Sequence, residues 1–214
     1  MTTAHTAVPE RRRSPAQRLQ ALASPFVFAR GFAGNWRQVG SVVPSSPWLV
    51  DALLEPIDWA GARVVVELGP GTGVVTRAIL KRLHPDAVLL AVEANAEFAD
   101  YLRQTTLDRR LRLVTGDAAA LADHLRAAGL GSCDAVVSSL PLLSMTAGDR
   151  RRSLAAAATA LGDAGIFVAY QYTRRLHAGI VRCFAQVRTE RIWRNVPPAF
   201  LFVGLQPRRR GAAV

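Results

Sequence analysis

The 214-residue sequence predicts an α/β fold: a mostly parallel sheet of seven strands, helices on both faces, and an antiparallel hairpin at one edge. Three observations predict it. From residue 63 onward, short β-branched runs alternate with helical stretches of Ala, Leu and charged residues. The first of those runs, Val64-Val65-Val66-Glu67-Leu68, leads straight into a glycine-rich turn. The last two runs follow each other with no helix between them.

Taken in order, strands are expected at 63–68, 87–93, 111–114, 135–138 and 165–172, and helices at 74–83, 96–105, 118–128, 148–161 and 176–184. Parallel neighbours need crossover connections, which these helices supply. Strands at 189–194 and 200–205, joined by Asn195-Val196-Pro197-Pro198, form the edge hairpin. Ahead of this core, residues 1–24 are polar, basic and proline-containing. Phe28, Phe32 and Trp36 then share one helical face, with Arg30 and Arg37 off that stripe. Such a face suits either a helix lying in a membrane interface or one docked on the core. The chain therefore divides into a basic, aromatic helical extension (1–47), expected to rest on a membrane and to cover a ligand site, the alternating α/β domain (48–207), and a basic tail (208–214).

Composition narrows the class. Half of the residues are apolar, enough for one sizeable core. No run approaches the ~18 to 20 apolar residues that a membrane-spanning helix needs. Met1 to Pro9 lack the pattern of a secretory signal, so a cytoplasmic protein, soluble or peripherally attached to the inner membrane, is expected. Cys133 and Cys183 make neither a disulfide framework nor a metal cluster, and His5, His84, His124 and His177 lack ligand spacing, so no metal is expected. The net charge of +11 is concentrated at the ends, with Arg11, Arg12, Arg13, Arg18, Arg30 and Arg37 against Glu10 at one end and Arg208, Arg209 and Arg210 at the other. That distribution suits an anionic partner, either phospholipid or nucleic acid.

The chemistry-bearing residues fall at strand ends. Glu67-Leu68-Gly69-Pro70-Gly71-Thr72-Gly73 fits E-x-G-x-G-x-G, and Val74 stands where a nicotinamide-binding G-x-G-x-x-G would place its last glycine. Glycines there let a ligand approach the backbone. Glu93, ending the second strand, can accept from both hydroxyls of a ribose, with Ala94 beside it. Asp117, in Thr115-Gly116-Asp117-Ala118, can accept from an adenine amine. Ser138-Ser139-Leu140-Pro141 ends the fourth strand, where hydroxyls and carbonyls can orient an amine that needs in-line approach more than a strong base. Tyr170 and Tyr172 close the fifth strand and point to one side, where an aromatic face suits an ammonium.

Together with Gly40-Ser41-Val42-Val43-Pro44-Ser45-Ser46, Val92-Glu93-Ala94-Asn95 and Arg194-Asn195-Val196-Pro197-Pro198-Ala199, these motifs resemble the bacterial phospholipid N-methyltransferases, including phosphatidylethanolamine and ornithine-lipid methyltransferases, which are themselves similar to rRNA adenine dimethyltransferases. The resemblance runs from about Trp36 to Leu205. It implies a Rossmann-like class I methyltransferase domain that converts S-adenosylmethionine to S-adenosylhomocysteine and methylates a lipid amine. It also implies a cofactor site of Ser45, Ser46, Glu67, Gly69, Gly71, Thr72, Gly73, Glu93, Ala94, Asp117, Ala118 and Ser138, with Ser139, Leu140 and Tyr172 at the acceptor. Anionic membrane lipid is then both surface and substrate. Two positions depart from the pattern: Asp163-Ala164-Gly165 replaces the usual Pro-Gly-Gly turn, and Gln171-Tyr172-Thr173 lacks a second aromatic. Methylation of a nucleic-acid adenine is the alternative, although Ser138-Ser139-Leu140-Pro141 lacks the Asn or Asp followed by Pro-Pro and an aromatic that holds a base. A small soluble amine is a further alternative acceptor.

Overall fold

The computed structural model describes residues 46–208, so the aromatic stripe at 28–36, Ser45, Arg209 and Arg210 lie outside the described residues. The chain runs α1 (Pro47–Leu54), β1 (Val64–Leu68), α2 (Val74–Arg82), β2 (Val88–Glu93), α3 (Ala96–Thr105), β3 (Leu111–Thr115), α4 (Leu121–Ala127), β4 (Cys133–Ser138), α5 (Ala147–Ala160), β5 (Leu161–Gln171), α6 (His177–Val181), β6 (Phe184–Ile192) and β7 (Ala199–Pro207). Single 3-10 turns occupy Ala118–Ala120 and Arg174–Leu176. The strands lie in the order β3-β2-β1-β4-β5-β7-β6, and only β7 runs against its neighbours.

Both faces of the sheet are covered, which is why its central strands read as continuous apolar runs. Val65, Leu89, Val137, Val168 and Leu201 pack with α1 and α2 on one face. Val66, Leu90, Val136, Phe167 and Phe202 pack with α4, α5 and α6 on the other. From β1 the chain steps outward to β3 and then returns to β4 on β1's other side. That reversal opens a crevice at the carboxyl ends of β1 and β4, where such sheets bind ligands.

The structure departs from the sequence expectation at four places. Helix α1 was not anticipated, yet its start is well specified: the Ser46 hydroxyl accepts from Leu49 N at 3.2 Å, and Pro47 follows as first helical residue. Asp117 caps a 3-10 turn, so α4 begins only at Leu121. Strand β5 starts at Leu161, with a register irregularity opposite Cys133 to Ala135. The expected helix 176–184 shrinks to α6, and β6 begins at Phe184, whose fully buried ring stacks on Phe167 with centroids 5.3 Å apart. That contact between strands overrides local helical preference. Cys133 is a buried hydrophobe in effect, since burial, with Asp134 nearby, pushes its thiol up to about 12. No helix among the described residues is long and apolar enough to cross a membrane.

Candidate active site

The topology sets Asp117, Glu93, Glu67, Ser138 and Tyr172 at the carboxyl ends of β3, β2, β1, β4 and β5, five strands that are successive neighbours. At about 4.8 Å per strand the row spans roughly 19 Å. Between β1 and α2 the chain turns through Gly69, Gly71 and Gly73, all at positive φ (73°, 54° and 79°). A Cβ at Gly69 would stand 2.9 Å from Leu140 Cδ2, so its absence lets the β4 turn lie against the loop. A Cβ at Gly71 would meet nothing within 4 Å, which marks the open side of the loop.

Glu67 is fully buried, and neither carboxylate oxygen has a hydrogen-bond partner among the described residues. Burial lifts its carboxyl to about 8. The Thr76 hydroxyl lies near enough to soften that rise without making a hydrogen bond, Glu93 adds to it, and Arg77 opposes it. An unpaired buried acid is costly, and a cationic donor placed against it would both satisfy and ionise it. Glu93, 8% exposed, is in the opposite condition. Its Oε2 accepts from Gly71 N and its Oε1 from Asn95 N, both at 2.9 Å. The end of β2 is thereby bolted to the glycine loop, and each oxygen keeps a lone pair for a further donor. Ala94 is exposed beside it.

Asp117 is exposed, and its Oδ1 accepts from Ala119 N at 2.9 Å. The ring of His124 braces this turn from below by donating from Nε2 to the Asp117 carbonyl at 3.0 Å. Ala118 is buried beneath it. At β4, the hydroxyls of Ser138 and Ser139 are both buried without a partner among the described residues. The Leu140 carbonyl, in contrast, accepts from Gln171 Nε2 at 2.9 Å and from Leu142 N at 2.8 Å. Both of its lone pairs are used, whereas the two serine hydroxyls at this turn are not. Tyr172 is half-buried and meets Tyr170 edge-on, ring centroids 6.3 Å apart and planes at 82°. Thr72 contributes its carbonyl to Arg77 at 3.1 Å, and Ser46 is occupied as the cap of α1. Sequence reasoning missed Gln171 as a tether; its place beside Tyr172 at a strand end was the available signal. A cleft of about 300 Å³ lined by Arg174, Thr189, Arg191 and Phe200 lies at the β6–β7 side, away from the glycine loop. No cluster of His, Cys, Asp or Glu among the described residues has the arrangement of a metal site.

A sheet of this order with one reversed strand, a glycine turn after β1 and acids ending β1 and β2 defines a class I methyltransferase domain. Comparison with known proteins agrees. The methyltransferase domain family model matches residues 65–165. An ornithine lipid N-methyltransferase from Singulisphaera acidiphila is 33% identical over 183 residues, covering 81% of this chain and 92% of that protein. A ribosomal RNA small subunit methyltransferase A from Thiobacillus denitrificans is 37% identical over 86 residues, which cover 38% of this chain and 32% of that protein. Among solved structures, the N-methyltransferase NodS from Bradyrhizobium japonicum in complex with S-adenosyl-L-homocysteine shares the fold at a TM-score of 0.62, with 11% identity over 76% of this chain and 89% of that one. The chain belongs to the bacterial lipid N-methyltransferase family, and it is an S-adenosylmethionine-dependent methyltransferase.

Proposed function

We propose that this enzyme methylates the amine of a membrane lipid head group, of the ornithine-lipid or phosphatidylethanolamine kind. The observation that carries the reading is the extent of the match: similarity to the ornithine lipid enzyme spans nearly that whole protein, whereas similarity to the rRNA enzyme is confined to a third of its length. Bound S-adenosylmethionine supplies an electrophilic methyl on sulfur. The residues present fit it. Glu67, buried and unpartnered, suits the ammonium of the methionine part. The open side of Gly71 gives the chain of the ligand room against the backbone, with Gly69, Thr72 and Gly73 shaping the loop. The spare lone pairs of Glu93 suit two ribose hydroxyls, Ala94 and Ala118 bound the nucleoside, and Asp117 Oδ2 suits the adenine amine.

On the acceptor side the Ser138 and Ser139 hydroxyls hold and orient the amine, and Tyr172 offers a ring face to the ammonium as it gains methyl groups. The proton lost by the amine leaves to water, because the turn carries no acid or base of its own. Residues 1–47 bring the enzyme to the inner membrane from the cytoplasm in this reading. The test is incubation with methyl-labelled cofactor and, in parallel, total lipid, tRNA and rRNA. Label in the lipid amine fraction is expected; label in rRNA or tRNA alone refutes the assignment.

A further inference from the structure

Six large apolar side chains are well exposed among the described residues, and three of them, Trp48 (56%), Trp193 (66%) and Val196 (81%), belong to the β6–β7 turn and the start of α1. These two segments are fastened together. Asn195, 1% exposed, accepts from Ser46 N at 3.3 Å and donates to Pro197 O at 2.8 Å. The Arg194 guanidinium lies 5.1 Å from the Trp48 ring centroid, and that of Arg191 lies 3.7 Å from Trp193 and 5.6 Å from Phe200. No ion pair to a carboxylate occupies Arg191 or Arg194 among the described residues. A buried asparagine thus holds in place a turn that exposes Trp193 and Val196 beside arginines without a carboxylate partner. A folded domain rarely leaves such a patch uncovered without a partner for it.

The patch also lies on the working edge of the sheet. Ile192 pairs with Ala199, and Phe200 with Gln171, so the turn leaves the sheet at the end where β1, β4 and β5 finish. Strand β7 stands two strands from β4, about 10 Å at the usual spacing. We propose that this rim is a docking surface for an anionic bilayer. Trp48, Trp193 and Val196 enter the boundary between head groups and acyl chains, and Arg191 and Arg194 meet lipid phosphates. Indole rings favour that boundary because one edge is polar and the rest apolar, and guanidinium groups pair bidentately with phosphate. A head group then reaches the serine turn without its lipid leaving the bilayer. Single-stranded RNA would also stack on tryptophan, but Val196, the most exposed of the three, offers a base neither charge nor ring. The inference rests on the lipid reading of the active site, and the measurements below separate the two.

The full chain is compared with Trp193→Ser/Val196→Ser and with Arg194→Gln, none of which touches the cofactor or serine positions. Recruitment is read by flotation with vesicles of phosphatidylglycerol and ornithine lipid, and turnover is read both on those vesicles and on a short-chain ornithine lipid kept below its micellar concentration. The double variant is expected to lose at least about tenfold in vesicle recruitment and to raise the apparent KM for vesicle lipid to match, while S-adenosylhomocysteine affinity and turnover of the dispersed lipid stay within about twofold. Arg194→Gln is expected to weaken recruitment to these vesicles and not to phosphatidylcholine ones. Failure of the unaltered chain to float, undiminished recruitment of both variants, or loss of rRNA binding in place of vesicle binding overturns the proposal. If the unaltered chain methylates neither lipid form while recruitment still falls in the double variant, the docking surface stands and the substrate assignment is what fails.

Discussion

Glu67→Gln is the perturbation with the most legible consequences. In the protein without cofactor the buried carboxyl sits at about 8, against 4.5 for the ordinary group. A carboxyl raised on folding binds its proton more tightly in the native state than in the unfolded one. Stability is therefore undiminished by this group below pH 4.5, falls as pH rises between 4.5 and about 8, and levels off above that. The slope is about 1.4 kcal/mol per pH unit, so from about pH 5 to pH 7 the penalty grows by roughly 2.7 kcal/mol. Glutamine keeps the shape and carries no titration, and the difference in unfolding free energy between Glu67→Gln and the native sequence should widen by that amount over the same interval, measured by urea unfolding. Cofactor binding supplies the complementary readout. An ammonium set against Glu67 ionises it, so binding near pH 7 should release about one proton, visible by calorimetry in buffers of different ionisation enthalpy. Glu67→Gln should abolish that release and weaken binding. Parallel stability curves, or equal proton release by both proteins, would refute the reasoning.

Three further outcomes follow from contacts at the strand ends. Glu93→Ala removes the carboxylate proposed to hold the ribose and leaves Gly71 N and Asn95 N without their acceptor; cofactor affinity by calorimetry should fall about a hundredfold or more, and the unfolding free energy by about 2 kcal/mol. Gly71→Ala adds a methyl to open space at φ 54°, so it should cost the cofactor-free protein only about 1 to 2 kcal/mol in denaturant unfolding while reducing S-adenosylhomocysteine affinity by about tenfold. Gln171→Ala frees one lone pair of the Leu140 carbonyl and loosens the β4 turn; steady-state kinetics should show a lowered kcat with little change in KM for the cofactor, and stability should drop by about 1 kcal/mol.

The fold was legible because a sheet buried on both faces leaves an unmistakable trace: β-branched runs of strand length at regular intervals, each followed by a helical stretch. Where the trace failed, a distant contact had decided the matter. Phe184 looks like the end of a helix until Phe167 is beneath it, and no local pattern announces that meeting. Helix α1 escaped notice for a different reason. Its Ser46-Pro47 start is a sound cap followed by a sound first residue, but eight residues give too little periodicity to stand out beside a long polar extension.

The candidate site was legible in position and not in commitment. Acids and serines at strand ends can be read from spacing, because strand ends share one edge of the sheet. What each polar atom is already doing cannot, because that depends on partners many residues away. Glu93 spends half of its accepting capacity on Gly71 and Asn95, and the Leu140 carbonyl spends all of its capacity on Gln171 and Leu142. These bonds, with the contact between Gly69 and Leu140, join β2, β1, β4 and β5 into one braced edge. In the reading proposed above, bracing of that kind would hold a methyl donor bound at the glycine loop at a fixed distance from the serine turn and leave little freedom there for choosing an acceptor. In that reading, discrimination among amines falls on residues beyond the brace, at Tyr172 and on Arg174 in the neighbouring cleft. Exchanging residues 172 and 174 between family members with different acceptors should therefore shift preference among dispersed lipids in a competition assay more than exchanging the glycine loop does, and an equal shift from both exchanges would place selectivity inside the braced edge instead.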